Sequence, residues 1–383
     1  KNSYQKVIEI QPNHANAHYN LGLLFKLSGE FKKTISFYQM AVKYEPKNLI
    51  VLYELSNLKK EILNTNLKNK INEIIKRGNS TKKNIAYGNF LLSKYEFEKK
   101  NYEKEFNYLL KGHFYYFESE EIKFKKETYY WLNKLPNKKE LISFKTSNKN
   151  IKKINNKIKP IFIIGVPRCG STLVEKVIAS STKYIPIGEE TGILSAFIGQ
   201  KIHQEQTLNL NDIENFQTKI IEKYQQKGLI QERSDYIFTD KSLDNFFYIG
   251  LIKEIFPNAK IIDCRRNALS SIMSILKTTL RDVSWAHNLE HIFKYIDIYY
   301  RMIETFKKKF PNFIYELQFE EFVNNPEIES KKLLKFCDLP WDKKCLEFYK
   351  RKDLISHTAS NVQIRKAIYK DSLDKYSPYK KFI

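Results

Sequence analysis

The sequence predicts two folded parts. They are an all-α domain of helical repeats over residues 1–146 and, after a linker at 147–159, an α/β domain with a doubly wound parallel sheet over 160–383. The first prediction rests on a 34-residue period, which is typical of stacked helix pairs. The second rests on short apolar runs that alternate with helical patterns, as in parallel sheets. The residues that repeat at the 34-residue spacing are Pro12 and Pro46, Tyr19 and Tyr53, and Leu21 and Leu55.

Composition excludes several classes of protein. Of the 383 residues, 42% are hydrophobic, 12 are Gly and 11 are Pro, so neither a collagen-like nor a low-complexity chain fits. No apolar run approaches the roughly 18–20 residues that span a bilayer, so we expect no membrane span. The chain begins at Lys1 inside a predicted helix. We therefore expect the natural start, with any targeting signal, to lie upstream.

The net charge of +23 has two interpretations. A positive field attracts anions such as nucleotides and acidic substrates, and an AT-rich genome produces the same excess of Lys. Because Lys is spread along the whole chain, charge alone identifies no site, and we expect no nucleic-acid partner. The cysteines form no C-x-x-C pair, which predicts reduced thiols, no metal site and a cytoplasmic location. They are Cys169, Cys264, Cys337 and Cys345.

Residues 21–46 resemble a tetratricopeptide repeat, in which two antiparallel helices approach closely at a small residue, here Gly22. Residues 1–12, 47–62 and 85–112 fit partial or degenerate copies. Such repeats bury a core only by stacking. The domain is therefore predicted either to offer a groove to a protein or peptide partner or to act as a structural adaptor. The residues that carry the resemblance are Leu21, Gly22, Phe25, Gly29, Phe31, Tyr38, Ala41 and Pro46.

Strand and helix patterns alternate in the second part of the chain. Short apolar runs predict strands at 160–164, 236–239, 260–264 and 313–317. Helical spacing predicts helices at 171–180, 247–255, 268–277 and 327–337. In doubly wound sheets, ligands bind at the carboxyl ends of the strands. We therefore expect the polar motifs that follow these strands to form the site.

The segment from Gly165 to Thr172 connects the first predicted strand to a helix. Successive backbone N–H groups at such a turn, together with the helix dipole, form an anion cradle. A triphosphate-binding loop has the form G-x-x-x-x-G-K-S/T, but here Ser171 stands in the place of that Lys and the cation is Arg168. The loop is therefore P-loop-like, and it suits a 5′-phosphosulfate better than a triphosphate.

The stretch from Pro167 to Leu173 resembles the P-R-S/C-G-S/T-T-L signature of sulfotransferases, as found in protein-tyrosine sulfotransferases and in bacterial enzymes fused to tetratricopeptide repeats. The resemblance implies a sulfotransferase domain that uses 3′-phosphoadenosine 5′-phosphosulfate (PAPS) as donor, with no metal. It also implies that the loop binds the 5′-phosphosulfate. The matching loop residues are Arg168, Cys169, Gly170, Ser171, Thr172 and Leu173.

The same resemblance extends over residues 160 to about 380. It implies that Arg266, preferred over Arg265, and Ser274 bind the 3′-phosphate, which suits a charged fork and a hydroxyl two helical turns apart. It further implies that a C-terminal segment covers the donor, through Ser360, Gln363 and Lys375.

Three catalytic residues follow from the resemblance. Glu190, in the Gly188–Thr191 segment, is the predicted base for an acceptor hydroxyl, with Glu189 as the alternative. Lys241 and Arg168 are predicted to stabilise the oxygens of the transferring and leaving groups. The acceptor hydroxyl could belong to a protein tyrosine, a carbohydrate or a small molecule.

Some features depart from the tyrosine-directed pattern or favour other functions. The spacing from Arg168 to Glu190 is one residue longer, Gly192 stands where those enzymes have Arg, and Phe319 replaces a Tyr near the adenine. A nucleotide kinase or triphosphatase is one alternative, against which the missing loop Lys argues. A non-catalytic repeat scaffold with a decayed sulfotransferase domain is the other. The H-x-x-E-H stretch at 287–291 matches a zinc-peptidase pattern, but a polar helix face is preferred.

Overall fold

A computed structural model shows a chain that forms two compact units. The helical unit contains Lys1–Thr128, Ile272–Ile292 and Lys375–Ile383, and the sheet unit contains Tyr129–Ser271 and Phe293–Asp374. The predicted domain bounds at 146 and 160 stay a prediction. The structure describes residues 2–138, 141, 157–181, 185–203, 213–230, 236–351, 367–368 and 376–383.

Helices α1 to α8 follow one another at the start of the chain, as the repeat pattern predicts. Gly22 allows close approach within one pair, because a Cβ there would lie 2.5 Å from the Tyr38 ring. Gly112 does the same against Phe90, at 2.4 Å. Most of these helices begin at a capping side chain, such as the Asn48 carboxamide that accepts from two N–H groups of the first turn. Their bounds are Asn2–Ile10, Ala15–Leu27, Phe31–Tyr44, Leu49–Leu58, Thr65–Lys76, Lys82–Glu98, Tyr102–Ser119 and Glu121–Tyr129.

The sheet unit is built on four parallel strands, β1 to β4, in the order β2-β1-β3-β4. The chain leaves β1 toward one edge of the sheet and leaves β3 toward the other, so the switch point lies between the carboxyl ends of these two strands. This confirms the predicted doubly wound parallel sheet. The strands are Ile158–Gly165, Tyr236–Asp240, Lys260–Arg265 and Ile314–Gln318.

Apolar side chains from β1, β3 and β4 form one core with the helices α9 and α16. The segment predicted as a helix over 247–255 is a 3₁₀-helix, Leu243–Tyr248, that continues as α12. Among the described residues, no helix is both long and apolar enough to cross a membrane. Helices α9 to α16 are Ser171–Ala179, Ile193–His203, Ile213–Gln226, Ile249–Ile255, Ala268–Thr278, Leu289–Lys309, Phe319–Asn324 and Pro326–Phe336.

The H-x-x-E-H stretch does not lie on one helix. His287 ends the 3₁₀-helix Ser284–His287, whereas His291 lies in α14. His287 is buried, and its Nδ1 lies 2.9 Å from Nδ1 of His113. The expectation of a polar helix face is therefore wrong for His287, because aromatic rings of the helical unit stack on it.

Candidate active site

The loop between β1 and α9 has the backbone geometry of an anion cradle. Arg168 and Gly170 both adopt the left-handed conformation, with φ of 74° and 99°. Such a φ is uncommon for a residue other than Gly and marks a position held by its surroundings. Gly170 precedes α9, a helix of nine residues. The N–H groups of its first turn therefore point toward the loop, where the helix dipole favours an anion.

Arg266, which directly follows β3, reaches this loop across the switch point. Its Nη1 donates to the carbonyl oxygen of Arg168 at 3.1 Å, and its guanidinium carbon lies 4.7 Å from the centre of the Phe319 ring. Arg265 is engaged elsewhere, because its guanidinium forms ion pairs with Asp263, Glu304 and Glu316. Of the two arginines, Arg266 is therefore the one placed beside the cradle.

A lysine and a glutamate meet at the carboxyl end of β2. Nζ of Lys241 lies 2.9 Å from Oε1 of Glu190. The Lys241 side chain is 1% exposed and the Glu190 side chain is 59% exposed, so a buried ammonium group is paired with a carboxylate at the surface. Burial lowers the pKa of Lys241, but the negative charges of Glu175 and Glu190 oppose this and leave it above its ordinary value. Lys241 is therefore cationic at neutral pH.

The two adjacent glutamates of the Gly188–Thr191 segment point to different places. Glu189 has a left-handed backbone, with φ of 49°, which reverses the direction of the chain between the two side chains. Its own side chain is 12% exposed and lies 3.6 Å from Nζ of Lys176, which is also buried. Of the two carboxylates, Glu190 is thus the one open to solvent.

Comparison with known proteins identifies two kinds of domain in the chain. Residues 160–343 match the profile described as the sulfotransferase family. The chain carries a sulfotransferase domain. Residues 3–35 match the tetratricopeptide repeat profile. The predicted combination of a repeat and a sulfotransferase domain is therefore confirmed.

Relatives resemble the chain over this domain. An uncharacterized protein of Aquifex aeolicus is 31% identical over 238 residues, which cover 59% of this chain and 31% of that protein. Protein-tyrosine sulfotransferase A of Caenorhabditis elegans is 25% identical over 58% of this chain and 62% of its own length. The protein-tyrosine sulfotransferase of Drosophila melanogaster is 23% identical over 51% and 41%. The chain therefore spans less than two thirds of the length of each of these relatives.

Two solved sulfotransferase domains are similar to the chain. One comes from the curacin biosynthetic pathway, with 20% identity, a TM-score of 0.43, and coverage of 57% of this chain and 90% of that one. The other comes from the Synechococcus PCC 7002 olefin synthase, with 21% identity, a TM-score of 0.43, and coverage of 59% and 90%.

The other predicted residues of the sulfotransferase domain are placed as follows. Ser171 and Thr172 open α9 and are buried. Cys169 is buried and its N–H donates to the Val166 carbonyl at 3.1 Å. Ser274 is buried within α13, two helical turns after Arg266. The predicted cover residues lie outside the described residues; they are Ser360, Gln363 and Lys375. Leu173 is half-buried against the core of the sheet unit.

Sequence reasoning missed a buried carboxylate that holds the Gly188–Thr191 segment. Asp240 is fully buried, and its Oδ2 accepts from the hydroxyls of Thr191 at 2.6 Å and Tyr224 at 2.7 Å. Its Oδ1 accepts from the N–H of Ser242 at 2.9 Å. Asp240 thereby fixes the residue that follows Glu190. The only signal in the sequence is its place between Thr239 and Lys241 at a strand end.

Among the described residues, no group of three or more His, Cys, Asp or Glu side chains is placed to hold a metal ion. Cationic side chains at the site include Arg168, Arg266 and Lys241. Arrangements of this kind stabilise transferring anionic groups through fixed charges and hydrogen-bond donors.

Proposed function

We propose that this chain is a PAPS-dependent sulfotransferase that moves a sulfuryl group to an acceptor hydroxyl. The observation that carries the proposal is the 2.9 Å pair of Lys241 and Glu190. It stands at the carboxyl end of β2, the strand paired with β1. The loop after β1 is an anion cradle without a Walker lysine. The proposed base Glu190 and the buried cation Lys241 thus lie at the same end of the sheet as the proposed donor site.

The proposed donor site divides between the two phosphate positions of PAPS. Arg168, Ser171 and Thr172, together with the N–H groups of the first turn of α9, would bind the 5′-phosphosulfate, because charge-assisted hydrogen bonds and a helix N-terminus favour such an anion. Arg266 and Ser274 would bind the 3′-phosphate. The left-handed Arg168 and Gly170 support this assignment, since consecutive N–H groups converge only in such a turn.

The proposed reaction is an in-line displacement at sulfur. The acceptor oxygen forms a bond to sulfur, its proton passes to a carboxylate oxygen of Glu190, and the bond to the 5′-phosphate oxygen breaks. The products are the sulfated acceptor and 3′-phosphoadenosine 5′-phosphate (PAP). Lys241 and Arg168 would stabilise the negative charge that shifts to the leaving oxygen, as fixed cations do in phosphoryl transfer. Glu190 is suited to the role because it is both exposed and held at Lys241.

The acceptor and partners are proposed only by chemical class. Two relatives are named protein-tyrosine sulfotransferases, so a tyrosine hydroxyl is one acceptor to test beside carbohydrate and small-molecule hydroxyls. The tetratricopeptide repeat at residues 3–35 supports a protein or peptide partner. The four cysteines are buried free thiols, which supports a reducing compartment such as the cytoplasm.

Calorimetric binding of PAP and of ATP tests the donor assignment. We expect PAP to bind far more tightly than ATP, because the loop lacks the lysine that grips a triphosphate. Arg266→Ala should weaken PAP binding by at least about 1.5 kcal/mol, the free energy of a charge-assisted hydrogen bond. The matched control is Arg301→Ala, which removes an exposed arginine paired with Asp297 one turn away and should leave PAP binding unchanged.

The outcomes separate the candidate functions. Tighter binding of ATP than of PAP would refute the proposal and favour a nucleotide kinase or triphosphatase. Binding of neither nucleotide would favour a repeat scaffold. Equal losses in Arg266→Ala and Arg301→Ala would show that PAP responds to net charge rather than to this site.

A further inference from the structure

Glu175 is a fully buried carboxylate one helical turn past the proposed donor loop. Its Oε1 accepts from the N–H of Glu189 at 3.1 Å and from the Thr239 hydroxyl at 2.8 Å. Its Oε2 is also buried, and no hydrogen bond reaches it from the part of the chain that the structure describes. Burying a carboxyl group is costly unless it is compensated, so the buried Glu175, which Lys176 follows in α9, calls for a function.

Glu175 first positions, through hydrogen bonds, the backbone that precedes the proposed base Glu190. Thr239, which donates to Glu175, also accepts from the N–H of Gly188 at 3.3 Å. The carbonyl of Glu189 accepts from the N–H of Lys241 at 2.7 Å. These bonds fix the left-handed turn at Glu189. The direction in which Glu190 leaves the turn therefore depends on an oxygen of Glu175.

Glu175 also favours the charged form of Lys241. Thr239 and Lys241 are two residues apart along the end of β2, so their side chains lie on the same face. Because Glu175 contacts Thr239, it lies on the face from which the Lys241 side chain projects. The negative charge of Glu175 raises the pKa of Lys241 against the lowering effect of burial. Burial raises the pKa of Glu175 above its ordinary value, and the positive charges of Lys241 and Lys176 oppose that rise without cancelling it.

The charged groups around Lys241 come from two elements. Helix α9 contributes Glu175 and Lys176, and the segment between α9 and α10 contributes Glu189 and Glu190. Glu189 lies 3.6 Å from Nζ of Lys176. In the proposed reaction Glu190 loses its negative charge when it accepts the acceptor proton. Two carboxylates then still act on Lys241: Glu189, which is paired with Lys176, and Glu175, whose effect is the larger.

We propose that Glu175 is a positioning residue that acts as the permanent counter-ion of Lys241 and keeps it cationic after Glu190 has taken up the proton. The role deepens the proposed sulfuryl transfer and rests on it. If Glu190 were its only partner, Lys241 would lose its counter-ion when Glu190 takes the acceptor proton, and burial would then lower the pKa of Lys241. A second, water-excluded carboxylate separates the charge of Lys241 from the protonation of the base.

The test measures the charge of Lys241 directly. The protein is labelled with ¹³C at lysine Cε, and the Lys241 signal is assigned by its loss in Lys241→Arg and followed through a pH titration. Glu175→Gln keeps an oxygen that can accept from Glu189 and Thr239 but removes the charge. We expect the midpoint of the Lys241 titration to fall by at least about one pH unit. The control Glu347→Gln, which removes a surface carboxylate paired with Lys350, should leave it unchanged.

A second variant guards against misfolding of the buried substitution. Glu190→Gln changes an exposed side chain and mimics the protonated base. Lys241 should remain protonated in this variant up to at least about pH 8, because Glu175 is still present. Loss of the Lys241 charge below that pH in Glu190→Gln, or an unchanged titration in Glu175→Gln, would overturn the role of Glu175.

PAP binding to the same samples separates this inference from the proposed function. Glu175→Gln removes no proposed contact to the donor. It should therefore bind PAP within about twofold of the wild-type affinity, a change far smaller than the tenfold that 1.4 kcal/mol would produce. A wild-type protein that binds no PAP would refute the proposed function whatever the titrations show. PAP binding together with an insensitive Lys241 would refute the role of Glu175 alone.

Discussion

The substitution Gly170→Ala tests whether the tight loop before α9 depends on glycine. Gly170 has a φ of 99°, and a Cβ built on it would lie 2.2 Å from Cδ2 of Phe319. Phe319 is itself buried, so its ring has little room to move away. The alanine methyl group therefore meets both an unfavourable backbone conformation and an occupied space.

The two effects have separate magnitudes. An L-residue in the left-handed region costs about 1–2 kcal/mol, and an extra methyl group forced into a packed core costs about 1–3 kcal/mol. Gly170→Ala should therefore lower the free energy of unfolding of the sheet unit by about 2–5 kcal/mol. Gly228 lies in the same unit with a φ of 73° and no atom within 4 Å of a built Cβ. Gly228→Ala should thus show the backbone cost alone, about 1–2 kcal/mol.

Urea unfolding of the three proteins, followed by the fluorescence of Trp341 in the sheet unit, measures these differences. Gly170→Ala in a Phe319→Leu background completes a double-mutant cycle. We expect its cost there to fall to that of Gly228→Ala. A cost for Gly170→Ala no greater than that for Gly228→Ala, or one that persists without the Phe319 ring, would refute the reasoning.

Two further predictions concern buried polar groups. Tyr299→Phe removes a hydroxyl that donates to the buried Asp263 carboxylate, and should lower the free energy of unfolding by about 1–3 kcal/mol; Tyr300→Phe is the control, and an equal loss there would contradict the prediction. Burial lowers the pKa of His113 to about 4, so its imidazole takes up a proton in the unfolded chain first. The free energy of unfolding of the helical unit should then fall as the pH drops from about 6.5 to about 4. The fall should be smaller by roughly 3 kcal/mol in His113→Phe, which lacks the imidazole. Parallel pH profiles of unfolding in the two proteins would count against this.

The loop between β1 and α9, proposed to bind the donor, could be predicted from the sequence because its properties are local. A Gly before a helix, a cation within the turn and two hydroxyl residues at the first helical positions determine the cradle within Gly165–Thr172. The same holds for the strands, whose apolar runs predicted the bounds of β1 to β4 to within two residues. The exact turn conformation was not readable, since a left-handed Arg168 follows from no propensity.

The choice between Glu189 and Glu190 depended on tertiary structure. Both are acidic and adjacent, so their chemistry does not separate them, although the resemblance favours Glu190. The fold separates their side chains, because the Glu189 backbone turns and Nζ of Lys241, 51 residues from Glu190, contacts the Glu190 carboxylate, whereas the Lys241 N–H donates to the backbone carbonyl of Glu189. In the same way, residues 272–292 lie within the part of the sequence predicted as the α/β domain, but in the structure they belong to the helical unit.

The sequence by itself thus determined the two kinds of domain, the order of the strands and helices, and the tight strand-to-helix loop that contains Arg168. These depend on residues that are neighbours along the chain, where hydrophobic period and turn chemistry act. Only the tertiary structure decided how the buried charges are shared. Glu175 and Asp240 gain their roles from partners 64 and 49 residues away. Electrostatic interactions in a water-excluded interior depend on distance in space, which the spacing of residues along the chain does not encode.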